Sequence, residues 1–249
     1  MTRTIFRQLF EHSSSTYTYI LACPKTRTAV IIDPVLETVK RDSDLIKQLN
    51  LNLKYAANTH VHADHVTGTG ELKKIFPEAK SVLSENAKPG KADHYVKEFE
   101  KLVFGTKELE VRPTPGHTDG CVTYVLHEDG MAFTGDALLI RGCGRTDFQQ
   151  GDPRLLYASV HGQILSLPDH FLLHPAHDYA GRTVTSVAEE KAHNPRLTKS
   201  IDEFADIMNN LNLSYPKQID KSVPANLVCG VYELMDDKTK KLIDESKKK

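Results

Sequence analysis

Cysteine is scarce in this chain and never clustered. Cys23, Cys121, Cys143 and Cys229 are the only four in 249 residues, and no two form a CxxC spacing. A disulfide framework is not expected at this length with so few, so the thiols read as free and the compartment as reducing and intracellular. Neither sign of charge prevails. The 32 Lys and Arg face 33 Asp and Glu, leaving a net charge of -1, which argues against nucleic acid as the main partner. No apolar run approaches the roughly 18 residues of a membrane span, so no membrane association is expected. No secretory signal or transit peptide is legible, because strand-like sequence begins at Thr4. Internal repeats, low-complexity stretches and obvious linkers are missing too. The short basic tail Lys247-Lys248-Lys249 reads as a solvated end.

What the chain does contain is an ordinary soluble composition, 39% hydrophobic and 26% charged, enough to bury a sizeable core. The pattern predicts strands at Thr4–Phe10, Tyr17–Leu21, Thr28–Ile32, Leu53–Ala57 and Glu108–Arg112. Cys121–Leu126 and Met131–Thr134 flank Glu128-Asp129-Gly130, a hairpin signature. Phe171–Leu173 reads as a short strand. Helices are predicted at Ser43–Leu49 with Asp42 or Ser43 as cap, around Leu72–Phe76, and at Leu155–Leu165. A further helix after Asn194-Pro195 carries Ile201, Phe204, Ala205 and Met208 on one face. Interspersed strands and helices predict a layered α/β fold. We read one domain over 1–249, with 186–249 as a helical C-terminal appendage.

The densest chemistry lies in Thr59-His60-Val61-His62-Ala63-Asp64-His65. Three imidazoles and a carboxylate in six residues serve no folding purpose, since unpartnered histidines are costly to bury. A metal ion makes the grouping sensible. His60 and His62 stand two apart and cannot share a helix face; they fit a loop leaving a strand end. Three more stations follow the same pattern: Gly116-His117-Thr118, Gly135-Asp136, and Pro175-Ala176-His177. Singly, His117 or His177 reads as a capped or surface histidine, and Asp136 as a turn residue. In this order the set reads as metal ligands. His174 competes with His177 in the same loop, and we favour His177. His12, His94, His127, His161, His170 and His193 lack such context and read as structural or surface.

This ordered set resembles the metallo-β-lactamase superfamily over nearly the whole chain. The resemblance implies an αββα four-layer sandwich with metals at one edge of its two sheets. On ligand count alone, a dinuclear zinc hydroxyacylglutathione hydrolase (a glyoxalase II-like thioesterase) stays open, with Asp136 bridging. The run from Gly135 to Gly151, with Arg145-Thr146-Asp147-Phe148-Gln149-Gln150, resembles instead the persulfide dioxygenases of the ethylmalonic encephalopathy protein group. So do Ile32-Asp33-Pro34-Val35-Leu36-Glu37-Thr38, Pro175-Ala176-His177-Asp178-Tyr179, Asn194-Pro195-Arg196-Leu197 and Val223-Pro224-Ala225-Asn226. Cys121 stands where glyoxalase II enzymes usually carry histidine. One departure is Asp119, where the dioxygenases commonly have proline; a slightly looser turn after His117 is the expected effect.

The dioxygenase resemblance implies one Fe(II) per chain, held by His60, His117 and Asp136. Such a facial triad leaves room for sulfur and O2 together. His62, Asp64, His65 and His177 would surround it, orienting ligands and water. The implied reaction is glutathione persulfide plus O2 and water giving sulfite and glutathione, in sulfide catabolism. Arg145 is the candidate for a glutathione carboxylate, with a salt bridge to Asp147 as the alternative. Tyr179 lines the pocket or packs in the core. Cys143 is a redox-sensitive thiol or, as we favour, a buried inert one. The family resemblance also carries the mitochondrial matrix as location, with the cytoplasm open, and leaves room for a homodimer.

Overall fold

Two apolar runs, 17–21 and 28–32, become neighbouring central strands because each is buried on both faces. The computed structural model describes residues 3–246; the lysine tail at 247–249 lies outside the described residues. The first sheet is built in sequence order from β1 (Ile5–Glu11), β2 (Thr16–Ala22), β3 (Thr28–Ile32), β4 (Asn52–Ala57), β5 (Lys80–Ser84) and β6 (His94–Val96). The β1/β2 and β2/β3 pairs are antiparallel, and the remaining three are parallel. Parallel neighbours need a crossover. Helices α1 (Val39–Gln48) and α2 (Thr69–Ile75) supply the crossovers on either side of β4.

The second sheet runs β7 (Lys101–Phe104), β8 (Lys107–Pro113), β9 (Val122–Leu126), β10 (Met131–Gly135), β11 (Leu172–Pro175) and β12 (Thr185–Ser186). All of its pairs are antiparallel except β10/β11. The parallel step is made by α3 (Pro153–Ser159), which continues as a π-helical turn through Ile164. Helices α4 (Val187–His193), α5 (Ile201–Asn209), α6 (Ile219–Asn226) and α7 (Asp237–Ser246) follow.

Alternation along each strand sorts the layers. Tyr19, Leu21, Val30 and Ile32 meet Val111, Tyr124 and Phe133 between the sheets. Ile20, Ala22 and Ile31 turn the other way, onto Ile46 of α1 and Leu72 of α2. On the far side, Val125, Ala132 and Leu173 pack under Leu156 of α3 and Phe204 and Met208 of α5. This is the αββα sandwich expected. None of the helices among the described residues is long and apolar enough to cross a membrane.

Two predicted helix starts shift. The helix expected from Ser43 begins at Val39, because a 3-10 turn over Leu36–Thr38 leads into it. Asp42 and Ser43 are therefore buried helix residues, not caps, and Asp42 accepts from Arg41 Nε at 2.7 Å. The helix expected from Leu155 begins at Pro153. Asp152 caps it by accepting from Leu155 N at 2.9 Å, and proline fits the first turn, where no partner for its missing N–H is needed.

Candidate metal centre

Each expected ligand sits where a strand ends. β3 stops at Asp33, whose buried carboxylate organises the loop after β4. Its Oδ1 accepts from Thr59 N at 2.7 Å and lies 3.0 Å from His62 Nε2; its Oδ2 accepts from Thr59 Oγ1 at 2.9 Å. Thr59 has spent its one hydroxyl proton on Asp33, so at 3.0 Å it must accept from His60 Nδ1. That fixes the His60 tautomer and leaves Nε2 with a lone pair for a metal. The same logic fixes His117. Its Nδ1 lies 2.6 Å from the carbonyl oxygen of Arg145, which can only accept, so Nε2 is again the free donor.

Asp136 follows β10 at a sheet irregularity. Gly135 before it takes φ +55°, and a Cβ there would meet Thr59 Oγ1 at 2.7 Å. Gly144 then lets the loop fold back. Its N–H donates to Asp136 O at 2.7 Å, and a Cβ would stand 2.8 Å from His117 Nδ1. Both glycines are required by close approach at the ligands.

The donors fall into two groups. His60, His117 and Asp136 form one, and His62, Asp64, His65 and His177 the other, with the ligand atoms of each group within 4.8 Å of one another. His117 Nε2 and Asp136 Oδ2 are 3.6 Å apart, and the His60 and His117 ring centres 5.0 Å apart. His177 lies between the groups, Nδ1 2.6 Å from Asp136 Oδ1 and Nε2 2.8 Å from Asp64 Oδ2. Burial works against its charged form, but these two carboxylates outweigh burial and hold His177 well above the usual imidazole range. Burial likewise pushes Asp136 and Asp64 up, and their histidine neighbours win, holding both below the usual carboxylate range. Burial, with His62 beside it, drives His60 far below its ordinary value, so it stays neutral as a ligand must.

The residues fit a metal. Two imidazoles and one carboxylate converge with lone pairs free. His62 Nδ1 and His65 Nε2 are buried with no hydrogen-bond partner, a costly state that a nearby cation or its water would relieve.

The other expected residues separate clearly. His174 leaves the site: its ring stacks on Phe133 at 5.3 Å, both nitrogens lack partners, and burial pushes it down to about 4. Arg145 forms a bidentate pair with Asp147 at 2.6 and 2.7 Å and also lines the cavity that His117 and Asp136 border. Tyr179 is 75% exposed, its ring parallel to that of His177 at the cavity wall, so it is no core residue. Cys143 is buried 3.6 Å from Met208 Sδ, and burial pushes its thiol up to about 11. The turn after His117 is closed despite Asp119, by Gly116 N donating to Thr118 O at 3.0 Å. Among the other histidines, His94 pairs with Glu100 and His161 with Leu197 O.

Two organisers carry no role in the sequence reading. Asp33 is one; a buried acid at a strand end before proline was its available signal. Asn226 at the end of α6 is the other. Its Nδ2 donates to His62 O and His65 O, both at 2.8 Å, and its Oδ1 accepts from Thr67 N at 2.8 Å. No local pattern links positions 160 residues apart.

Bordering His117, Asp136 and His177 is a cavity of about 600 Å3, walled by Ile140, Tyr179 and four arginines, Arg141, Arg145, Arg182 and Arg196. The model of the metallo-beta-lactamase superfamily matches residues 14–177. The chain is 57% identical to the mitochondrial persulfide dioxygenase ETHE1 of Mus musculus, over 91% of this chain and 89% of that one. The crystal structure of ETHE1 from Myxococcus xanthus superposes with a TM-score of 0.88 at 51% identity, covering 91% of this chain and 99% of that chain. Hydroxyacylglutathione hydrolase GloC of Haemophilus influenzae is 33% identical over 69% of this chain and 88% of its own length. With the fold and more than half of all residues in common, the chain belongs to the persulfide dioxygenase family of the metallo-beta-lactamase superfamily.

Proposed function

We propose that this protein oxidises glutathione persulfide with O2 and water to sulfite and glutathione, at one Fe(II) held by His60, His117 and Asp136. The balance is GSSH + O2 + H2O giving GSH + H2SO3: the outer sulfur loses four electrons to O2, and the S–S bond breaks with a proton returned to the glutathione sulfur. The observation that carries this reading is the grouping of His60, His117 and Asp136 apart from the other four donors. Two histidines and a carboxylate are the donor set suited to a non-haem Fe(II) that engages sulfur and O2 side by side.

The chain's own residues prepare that centre. Thr59 and the Arg145 carbonyl hold the two imidazoles in the ligating tautomer. His177 keeps a proton on each nitrogen, one against Asp136 and one against Asp64, and so fixes the orientation of the ligating carboxylate. Asp64, His65 and His62 form a polar wall suited to holding water for the final S–S hydrolysis. The arginine-lined cavity suits an anionic tripeptide, with its sulfur placed over the ligands.

Metal analysis joined to O2 uptake tests the reading. We expect about one iron per chain, O2 consumption with glutathione persulfide, and stoichiometric sulfite. Two zincs per chain with hydrolysis of S-lactoylglutathione and no O2 uptake would replace it by the dinuclear hydrolase. The mitochondrial relatives support the mitochondrial matrix for this chain as well, checked by fractionation. A homodimer built from single-domain subunits is the assembly we carry forward, checked by sedimentation.

A further inference from the structure

The four cavity arginines differ in what they already hold. Arg141 is paired with Glu189 and Glu190, Arg145 with Asp147, and Arg182 with Asp178. Arg196 has no carboxylate partner among the described residues. Its Nη1 touches only the Cys143 carbonyl at 3.3 Å and two sulfurs, Cys143 Sγ at 3.9 Å and Met208 Sδ at 3.8 Å. Nε and Nη2 have no protein acceptor at all among those residues. Its backbone is well anchored, with the N–H donating to Asn194 Oδ1 at 3.1 Å.

We infer that Arg196 is the residue that binds a carboxylate of the glutathione moiety. This rests on the proposed substrate. A carboxylate arriving at Arg145 must displace Asp147 from a bidentate pair, losing about as much as it gains. At Arg196 nothing of opposite charge is displaced, so the attraction is kept in full, and the planar fork has two donors free for bidentate pairing. Position fits as well. Arg196 contacts the carbonyl of Cys143, whose neighbour Gly144 is hydrogen-bonded to Asp136 O at 2.7 Å. The anchor therefore stands one loop away from a metal ligand, in the same cavity. Glutathione offers two carboxylates, glycyl and γ-glutamyl, and the chemistry at Arg196 is common to both.

The test is calorimetric binding of S-methylglutathione, which keeps both carboxylates and cannot react, to the iron-loaded protein. Arg196→Gln should weaken binding about tenfold, a loss of ~1.4 kcal/mol. Arg196→Lys, which keeps the charge without the fork, should fall between. The glycine ethyl ester and the form lacking γ-glutamate separate the two ends: the ligand that wild type and Arg196→Gln bind equally lacks the carboxylate in question. In turnover, KM for glutathione persulfide should rise about tenfold with kcat and iron content unchanged. Equal affinity of wild type and Arg196→Gln for S-methylglutathione overturns the assignment. So does a fall in kcat or iron at constant KM, which marks a structural role. If the Gln variant fails to fold, equal affinity of wild type for all three ligands overturns it. Binding without O2 uptake by the wild type would sink the proposed reaction and leave the anchor standing.

Discussion

His117 donates its Nδ1 proton to the carbonyl oxygen of Arg145 across 2.6 Å, so a loop 28 residues further along the chain aims its ring towards Asp136 and His60. The approach is possible only because Gly144 has no side chain facing the ring. Gly144→Ala would place a Cβ 2.8 Å from His117 Nδ1 and 2.6 Å from Asp136 O, so both residues must shift. Metal affinity should fall about 10- to 100-fold. Metal content after dialysis against a graded chelator series reads this directly; wild-type retention would show that the loop can yield.

Asp33 accepts from three donors while buried. Asp33→Asn keeps the shape but replaces one carboxylate oxygen by a donor facing Thr59 or His62. We expect a loss of about 3 kcal/mol in urea unfolding, the usual scale for a disrupted buried charged network. Metal binding should weaken in parallel, since the His60 tautomer depends on Thr59. Unchanged unfolding midpoints would contradict the role given to Asp33.

Removing Asn226 leaves His62 O, His65 O and Thr67 N without their partner. At roughly 1 kcal/mol for each lost contact, Asn226→Ala should cost about 2–3 kcal/mol and lower Tm by about 5–10 °C. Asn226→Asp should be worse, because its oxygens would face two carbonyl oxygens. Calorimetric scans of both variants check the order as well as the size; an aspartate variant more stable than the alanine one would refute the assigned contacts.

His174 makes a pH prediction. Its folded pKa is about 4 against an ordinary 6.5, through burial alone. Between those values the unfolded chain binds a proton that the folded chain does not, so stability rises with pH there. The contribution is complete above about pH 6.5 and is lost as pH falls towards 4, by up to about 3 kcal/mol. His174→Phe, which suits the stack on Phe133, should flatten the slope of unfolding free energy over that window by one proton. An unchanged slope would show that His174 is not the titrating group.

The strong strands were legible because double-sided burial writes them as dense apolar runs: the expected 28–32 is β3 to the residue. β6 and β7, with three and four residues, are too short to leave such a period, and no reading of the sequence found them. The start of α1 was misplaced because no side chain caps it. α1 grows out of a 3-10 turn, which has no residue signature.

By itself the sequence determined the order of the histidine and carboxylate stations at strand ends, a pattern suited to holding a metal. It determined the layered α/β class as well, through alternation and turn residues. The tertiary structure brings His60 together with His117 and Asp136, the grouping that the family resemblance implied, by setting loops of two sheets side by side. It alone showed Asn226 clamping the histidine loop and Asp147 occupying Arg145 while Arg196 stays without a carboxylate. Hydrogen bonds and ion pairs act over about 3 Å in space, and separation along the chain carries no record of that distance.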